Sequence, residues 1–267
     1  MHDAVEEYAL HRVATDRWAL GRFVVPLARW TQLRDAVTGG RVESDSPWPV
    51  SLLAAPGDAG RIRALMAGET PLVVQSVECK VNGVGDAKEA GDIASAGVEV
   101  FVEPAVLDDF GAMTSVLAHS GVSAKLRTGG VTTDAFPPPA QILDFLRRCR
   151  QAGLRFKATA GLHHAVRGEY RLTYEPLPPT GEMFGFLNVA VAAAFLWHGR
   201  DDEIVQRVLE ERRKENFEFA DRELRWRNEH LSVEELADAR ARFFAGFGSC
   251  SFREPMAEIG LEAVSRS

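Results

Sequence analysis

The sequence predicts an α/β chain folded as one (β/α)8 TIM-type barrel over residues 1–267, with a helical insertion after the sixth visible strand. Three observations predict it. Short β-type runs alternate with amphipathic helical stretches, the pattern of parallel β/α units. Eight such runs can be counted, the number that closes a barrel, and 267 residues is close to the roughly 250 typical of one. Two of the runs, separated by one helix, each carry a central lysine on a polar face and end in glycine, as barrel strands do near the mouth.

Taken in order, residues 3–14 read as a helix with Val5, Tyr8, Ala9 and Val13 at helical spacing. RFVVPLAR (22–29) reads as a strand that Pro26 confines to an edge or an irregularity, because proline cannot donate a ladder hydrogen bond. A helix over 30–37, a strand over 49–55 and a helix from Asp58 follow, the last with Ile62, Leu65 and Met66 on one face. Residues 72–81 form the third strand, 86–96 a helix, 98–104 the fourth strand, and 107–119 a helix packing through Phe110, Met113 and Leu117. The fifth and sixth strands flank a helix whose first turn holds Pro137 to Pro139 and whose buried face is Ile142, Phe145, Leu146 and Cys149.

The rhythm then breaks into a polar loop (165–181), an apolar helix (182–198) and a charged helix (201–214). It resumes with a strand within 217–227. Ser232 and Glu235 make a capping-box pattern opening the next helix. Residues 243–250 form the last strand and 254–264 the closing helix.

A hydrophobic fraction of 46% and a charged fraction of 26% are ordinary for a soluble globular chain. The net charge of -7 argues against a nucleic-acid partner. Cys79, Cys149 and Cys250 are too widely spaced for a Cys-x-x-Cys metal site and odd in number, so a reducing, cytoplasmic setting is expected. The first twenty residues carry charges where a signal peptide needs an apolar run. The apolar run Met183 to Trp197 falls short of the roughly 20 residues that span a bilayer. No membrane partner is expected, and a homo-oligomer is left open.

Reactive groups of a parallel barrel gather at the C-terminal ends of its strands. Alternation puts Ser123, Lys125 and Arg127 on one face of the fifth run, and Lys157, Thr159 and Gly161 on one face of the sixth. Two amines facing one cavity repel, and repulsion with desolvation lowers a lysine pKa, freeing the amine that imine chemistry needs. Glu78 and Glu103, from the third and fourth strands, are the carboxylates placed to move protons. The competing expectation is that these glutamates pair with Lys125 and Lys157 and keep them charged and inert. Thr128, Gly129 and Gly130, with Gly246, Gly248 and Ser249, can present backbone N–H groups to an anion, with Arg127 as its charged clamp. The plainer role for these glycines is in tight turns. Of His163 and His164, one is expected to line the pocket and the other to be structural.

The pair AKLRTGG and FKATAGLHH resembles the two lysine strands of deoxyribose-phosphate aldolase and related class I aldolases, a Lys-x-x-Thr-Gly strand followed by a Lys-Ala-Ser-Gly-Gly strand. Their lysines here stand 32 positions apart, close to that family's spacing. The resemblance implies that Lys125 forms the Schiff base, that Lys157 keeps its pKa low, and that Gly246, Gly248 and Ser249 form a phosphate loop. It covers about 45 residues. The long stretch between Lys157 and Gly246, and the His163-His164 pair, depart from it, and no counterpart of the aldolase's catalytic aspartate stands out. KLRTGG, KATAGLHH, GFLN and GSCSF together look like a group of bacterial proteins with an extra segment before the first strand.

The expectation is therefore an aldolase-like lyase needing no cofactor and no metal, acting on a small anionic carbonyl substrate. A metal-dependent enzyme using His163 or His164, and a non-catalytic ligand-binding or partner barrel, are the alternatives.

Overall fold

In the computed structural model, residues 1–39 and 46–260 are described. Six strands, β1 (Phe23–Pro26), β2 (Trp48–Ala54), β3 (Leu72–Val81), β4 (Glu99–Pro104), β5 (Ser123–Arg127) and β6 (Phe156–Thr159), lie side by side in chain order. A hairpin of β7 (Gly168–Arg171) and β8 (Thr180–Met183) follows. Next comes an antiparallel meander of β9 (Phe217–Phe219), β10 (Glu223–Trp226) and β11 (Glu229–Ser232). Finally β12 (Phe244–Gly248) returns to pair in parallel with β6. The result is a curled parallel sheet of seven strands.

Ten α-helices are described: α1 (His2–Val13), α2 (Trp30–Gly39), α3 (Ala59–Met66), α4 (Val84–Ala94), α5 (Phe110–His119), α6 (Pro139–Ala152), α7 (Phe186–Trp197), α8 (Asp202–Leu209), α9 (Val233–Arg242) and α10 (Arg253–Glu258). The expected closing helix to residue 264 lies partly outside the described residues.

The convex face of the sheet is its apolar face. Val77, Cys79, Val100, Val102, Ala124, Leu126 and Ala158 are buried there at alternate strand positions. Rings continue the layer: Phe110 of α5 stacks on Phe145 of α6 at 4.4 Å, Phe145 meets Phe156 of β6 edge-on at 5.7 Å, and Phe156 meets Phe243 at 5.1 Å. The concave face holds the charges. Lys157 of β6 reaches Glu78 of β3 at 2.7 Å although the strands are three places apart, roughly 14 Å in a flat sheet. Two side chains close that distance because the sheet bends around them.

The expected seventh barrel strand is not part of the parallel sheet. Residues 217–227 do form strands, but in the separate meander and not in the parallel sheet. The reason is their burial pattern. Leu224, Trp226 and Leu231 are buried while Glu218, Arg225 and His230 are exposed, which suits an antiparallel sheet with one wet face. A strand inside a parallel barrel is covered on both faces.

Among the described residues β1 and β12 share no ladder, so they are the two edges of the sheet. Helix α1 reaches toward both. Its Tyr8 packs on Phe23 at 5.3 Å and Trp48 at 5.0 Å, and its His11 lies 4.6 Å from Phe252, just past β12. Pro26 sits in an edge strand, as its missing N–H requires.

Two further boundaries differ from expectation. Residues 180–183 are a strand, and the apolar helix begins at Phe186. The expected loop 165–181 contains one arm of the hairpin. Helix α7 is buried almost all round, yet no described helix is long and apolar enough to cross a membrane.

Candidate functional site

Strand parity and register assemble the site. Lys125 of β5 is paired directly with Lys157 of β6, and Arg127 with Thr159. On the other side, Glu78 of β3 faces Phe101 of β4 in register, and Lys80 faces Glu103. Every second residue points into the concavity, so the acids and amines converge there.

The Lys125 Nζ lies 2.9 Å from Glu78 Oε2 and 2.8 Å from Glu103 Oε2. Lys157 Nζ donates to Glu78 Oε1 at 2.7 Å and sits 5.3 Å from the Phe101 ring centroid, a cation–π approach. Arg127 Nε donates to Glu103 Oε1 at 2.9 Å, and its Nη1 to the Gly129 carbonyl at 3.2 Å. Ser51 donates to Glu78 Oε1 at 2.7 Å, and Ser76 in turn to Ser51 at 2.8 Å. Three cations thus share two carboxylates, leaving one positive charge in excess.

The electrostatics correct the expectation of a free amine on Lys125. Burial pulls its pKa down, but Glu78 and then Glu103 outweigh burial and raise it above the ordinary lysine value. Burial likewise pushes the Glu78 carboxyl up. The charges of Lys157 and Lys125, with hydrogen bonds from Lys157 and Ser51, overcome that and hold it at about 2. Glu103 is lowered in the same way, with Lys125 outweighing its burial and Arg127 adding to the effect. The lysines do not act on each other as bare like charges, because a carboxylate stands between them.

The two lysines differ. Lys125 has two carboxylate partners and a side chain 9% exposed; Lys157 has one partner, itself shared, and is 14% exposed. Arg127, at the strand end, is 51% exposed and is the cation nearest to solvent.

The glycine-rich ends have structural work of their own. Gly129 lies against the Phe136 ring, where a Cβ would come within 2.3 Å of a ring carbon, and Gly130 against Ala135, where it would come within 2.7 Å. Gly161 follows Ala160, and both adopt left-handed backbone, φ 76° and 67°. The Thr128 side chain is turned away from the concavity and buried. Its hydroxyl donates to the Ala160 carbonyl at 2.5 Å and the Thr159 carbonyl at 3.2 Å, pinning that turn. Gly246 is paired with Lys157 and Gly248 with Thr159, so β12 presents no side chain beside Lys157. The position a Gly246 Cβ would take is open space.

His163 and His164 turn to different carboxylates. His163 Nδ1 lies 2.6 Å from Glu254 Oε2, with the Ser249 hydroxyl 3.3 Å away. Cys250 Sγ is 3.5 Å from Nε2 and 4.0 Å from Nδ1 of the same ring. His164 Nδ1 lies 3.1 Å from Glu258 Oε1, and its ring stacks on Tyr170 at 3.5 Å. Neither histidine touches the lysine cluster through a hydrogen bond. Among the described residues no three His, Cys, Asp or Glu side chains are grouped to hold a metal ion.

Sequence reasoning missed Ser51, Ser76, Cys250, Glu254 and Tyr174. Ser51 left a signal, as the lone polar residue of the apolar strand β2, whereas Ser76 stands among the other polar residues of β3. The other three left none, because the contacts that matter join positions far apart in the chain.

No family model and no curated protein matches the chain. Among solved structures, nitroalkane oxidase from Streptomyces ansochromogenes is similar over 61% of this chain and 56% of its own, at 12% identity and a TM-score of 0.33. The chain thus spans little more than half the length of that protein. A likeness at this level carries no argument about fold or activity.

Proposed function

We propose that the chain is a barrel-type, cofactor-independent carbon–carbon lyase of the aldolase-like kind, acting on a small carbonyl compound that bears an anionic group. The observation that supports this reading is the meeting of two lysine ammonium groups on one buried glutamate within the concave face. The resemblance of the two lysine strands to class I aldolases supports it independently. Lys157 is the better imine-forming amine, with a single shared carboxylate and Gly246 of β12 in register beside it. Lys125, doubly paired, stays an ammonium and stabilises negative charge developing on the substrate. Glu78 is the group within reach of the proton that Lys157 must lose. Arg127 at the mouth meets the anionic group. Three free thiols fit the cytoplasmic setting that belongs to this reading.

Borohydride trapping tests it. With pyruvate or glycolaldehyde phosphate as probe, reduction leaves a stable mass adduct that maps to Lys157 and disappears in Lys157→Arg. No adduct on either lysine with these or a wider panel of small anionic carbonyl compounds overturns the imine.

A second reading is favoured by the raised Lys125 pKa and the lowered Glu78 pKa, which keep that pair charged. In that reading the barrel binds an anion with its one excess positive charge and performs no chemistry. Saturable binding of the same probes without any trapped adduct distinguishes it.

A further inference from the structure

A second reactive centre lies at the same end of the sheet, on the loop after β12. It brings together a thiol, an imidazole and a carboxylate from two separate stretches of chain. Cys250 Sγ is nearer to His163 Nε2, at 3.5 Å, than to Nδ1, and Glu254 Oε2 takes Nδ1 at 2.6 Å. Tyr174, from the turn between β7 and β8, donates to both Glu254 oxygens at 2.9 Å, and its hydroxyl is 3.8 Å from the sulfur. Ser249 adds a fourth contact to the imidazole at 3.3 Å.

A nucleophilic thiol needs three things: a basic nitrogen beside it, a group fixing that nitrogen's ring, and access for an electrophile. The first two are the contacts just given. The third separates Cys250 from the other cysteines, since Cys79 and Cys149 are buried at 1% and 0% and Cys250 is exposed. An open cleft of about 390 Å3, lined by His164, Lys214, Glu254, Ala257 and Glu258, adjoins the site on the Glu254 side.

We propose that Cys250, His163 and Glu254 form a thiol nucleophile site for a small acyl compound, an activated ester or thioester. The centre is independent of the lysine cluster and of the reading given to it. In the first step the thiolate sulfur attacks the acyl carbon. A sulfur–carbon bond forms, the bond from that carbon to the leaving alcohol or thiol breaks, and the leaving group takes a proton from His163. In the second step water attacks the thioester carbon and gives a proton to His163. The carbon–sulfur bond breaks, a carboxylic acid leaves, and the thiolate returns. Glu254 is a positioning residue that fixes the ring through Nδ1.

The surrounding electrostatics point the same way. The contact with Cys250 is the largest influence raising the His163 pKa to about 9, against its burial, with Glu254 adding to it. The contact with His163 lowers the Cys250 thiol in return, against the opposing effect of burial. Both shifts favour a thiolate beside an imidazolium.

The test is alkylation of the full chain by iodoacetamide as a function of pH, with the labelled site read by peptide mass. The expected result is labelling of Cys250 alone, with a rate inflection well below the roughly 8.5 of a free thiol. At pH 6.5 the wild-type rate is expected to be at least about tenfold above that of His163→Gln, since an unperturbed thiol is only about 1% thiolate there. Glu254→Gln is expected to lower the His163 pKa, read from the pH dependence of its imidazole NMR signals, because Glu254 is one of the groups that raise it. With p-nitrophenyl acetate, a burst of one equivalent of p-nitrophenolate is released as an acetyl adduct forms on Cys250, ahead of slower turnover, and Cys250→Ser abolishes both. A wild-type inflection in the ordinary thiol range overturns the proposal without recourse to any variant, as does an acetyl adduct found elsewhere.

Discussion

Gly129 lacks a side chain because the Phe136 ring stands where one would be, with a Cβ placed 2.3 Å from the ring's Cε1. Gly129→Ala must displace the ring or the turn, at a cost of about 1–3 kcal/mol, the usual range for overpacking. A urea midpoint unchanged from wild type would show that the contact is not tight. Glu78 is the more consequential residue. Among the described residues it is the only acid shared by both lysines, so Glu78→Gln takes from Lys157 its carboxylate partner and leaves Lys125 with Glu103. Breaking a buried pair from one side costs about 3–5 kcal/mol, read as a fall in the urea midpoint at constant slope. The five ionic residues of this cluster were legible in the sequence, because period-two alternation fixes which side chains share a face before any contact is known. Their protonation was not legible. It depends on which partner stands within 3 Å, and alternation says nothing about that.

Helix α7 shows how an element with no surface of its own is held in place. Its lone polar side chain, Asn188, is fully buried, and all of its groups are used. Oδ1 accepts from the Arg167 N–H at 2.7 Å and the Gly185 N–H at 3.2 Å, and Nδ2 donates to the Val208 and Glu211 carbonyls at 2.7 and 2.8 Å. One asparagine thus ties the start of α7 to the hairpin and to the end of α8. Asn188→Ala leaves several buried backbone groups unpaired at about 1–3 kcal/mol each. A total loss of about 3 kcal/mol or more is expected in chemical denaturation, and a loss below about 1 kcal/mol would contradict this account.

The same element scale marks where sequence reading succeeded. The six leading strands with the five helices between them, and the helix opening at Ser232, were legible, the latter because its capping box is local: Glu235 N–H donates to Ser232 Oγ at 3.1 Å and Ser232 N–H to Glu235 Oε2 at 2.8 Å. The meander reads in the sequence as one barrel strand because three- and four-residue strands leave too few positions to separate one wet face from none. The hairpin of β7 and β8 was hidden for the same reason.

At the scale of the whole molecule, the curl of the sheet turns an alternating pattern into an enclosed charge cluster, and that cluster makes stability depend on pH. Glu78, and Glu103 with it, titrate lower in the folded chain than an ordinary carboxyl, Glu78 at about 2 against 4.5. A depressed carboxylate contributes stability that is fully present above the unfolded value and is lost as pH falls through the folded one. Lys125 has the opposite sign. Its raised pKa contributes stability present below the unfolded lysine value, and lost only as pH rises through the folded one. The cluster's contribution is therefore level from about pH 5 to pH 9. Below that plateau the urea midpoint of the wild type falls steeply between pH 4.5 and about 2. Glu78→Gln removes the titrating group, so its midpoint starts lower at pH 7 and falls less over that interval. Parallel acid profiles for the two proteins would mean that Glu78 is not held down by the lysines, and the cluster would lose its place as the electrostatic centre of the fold.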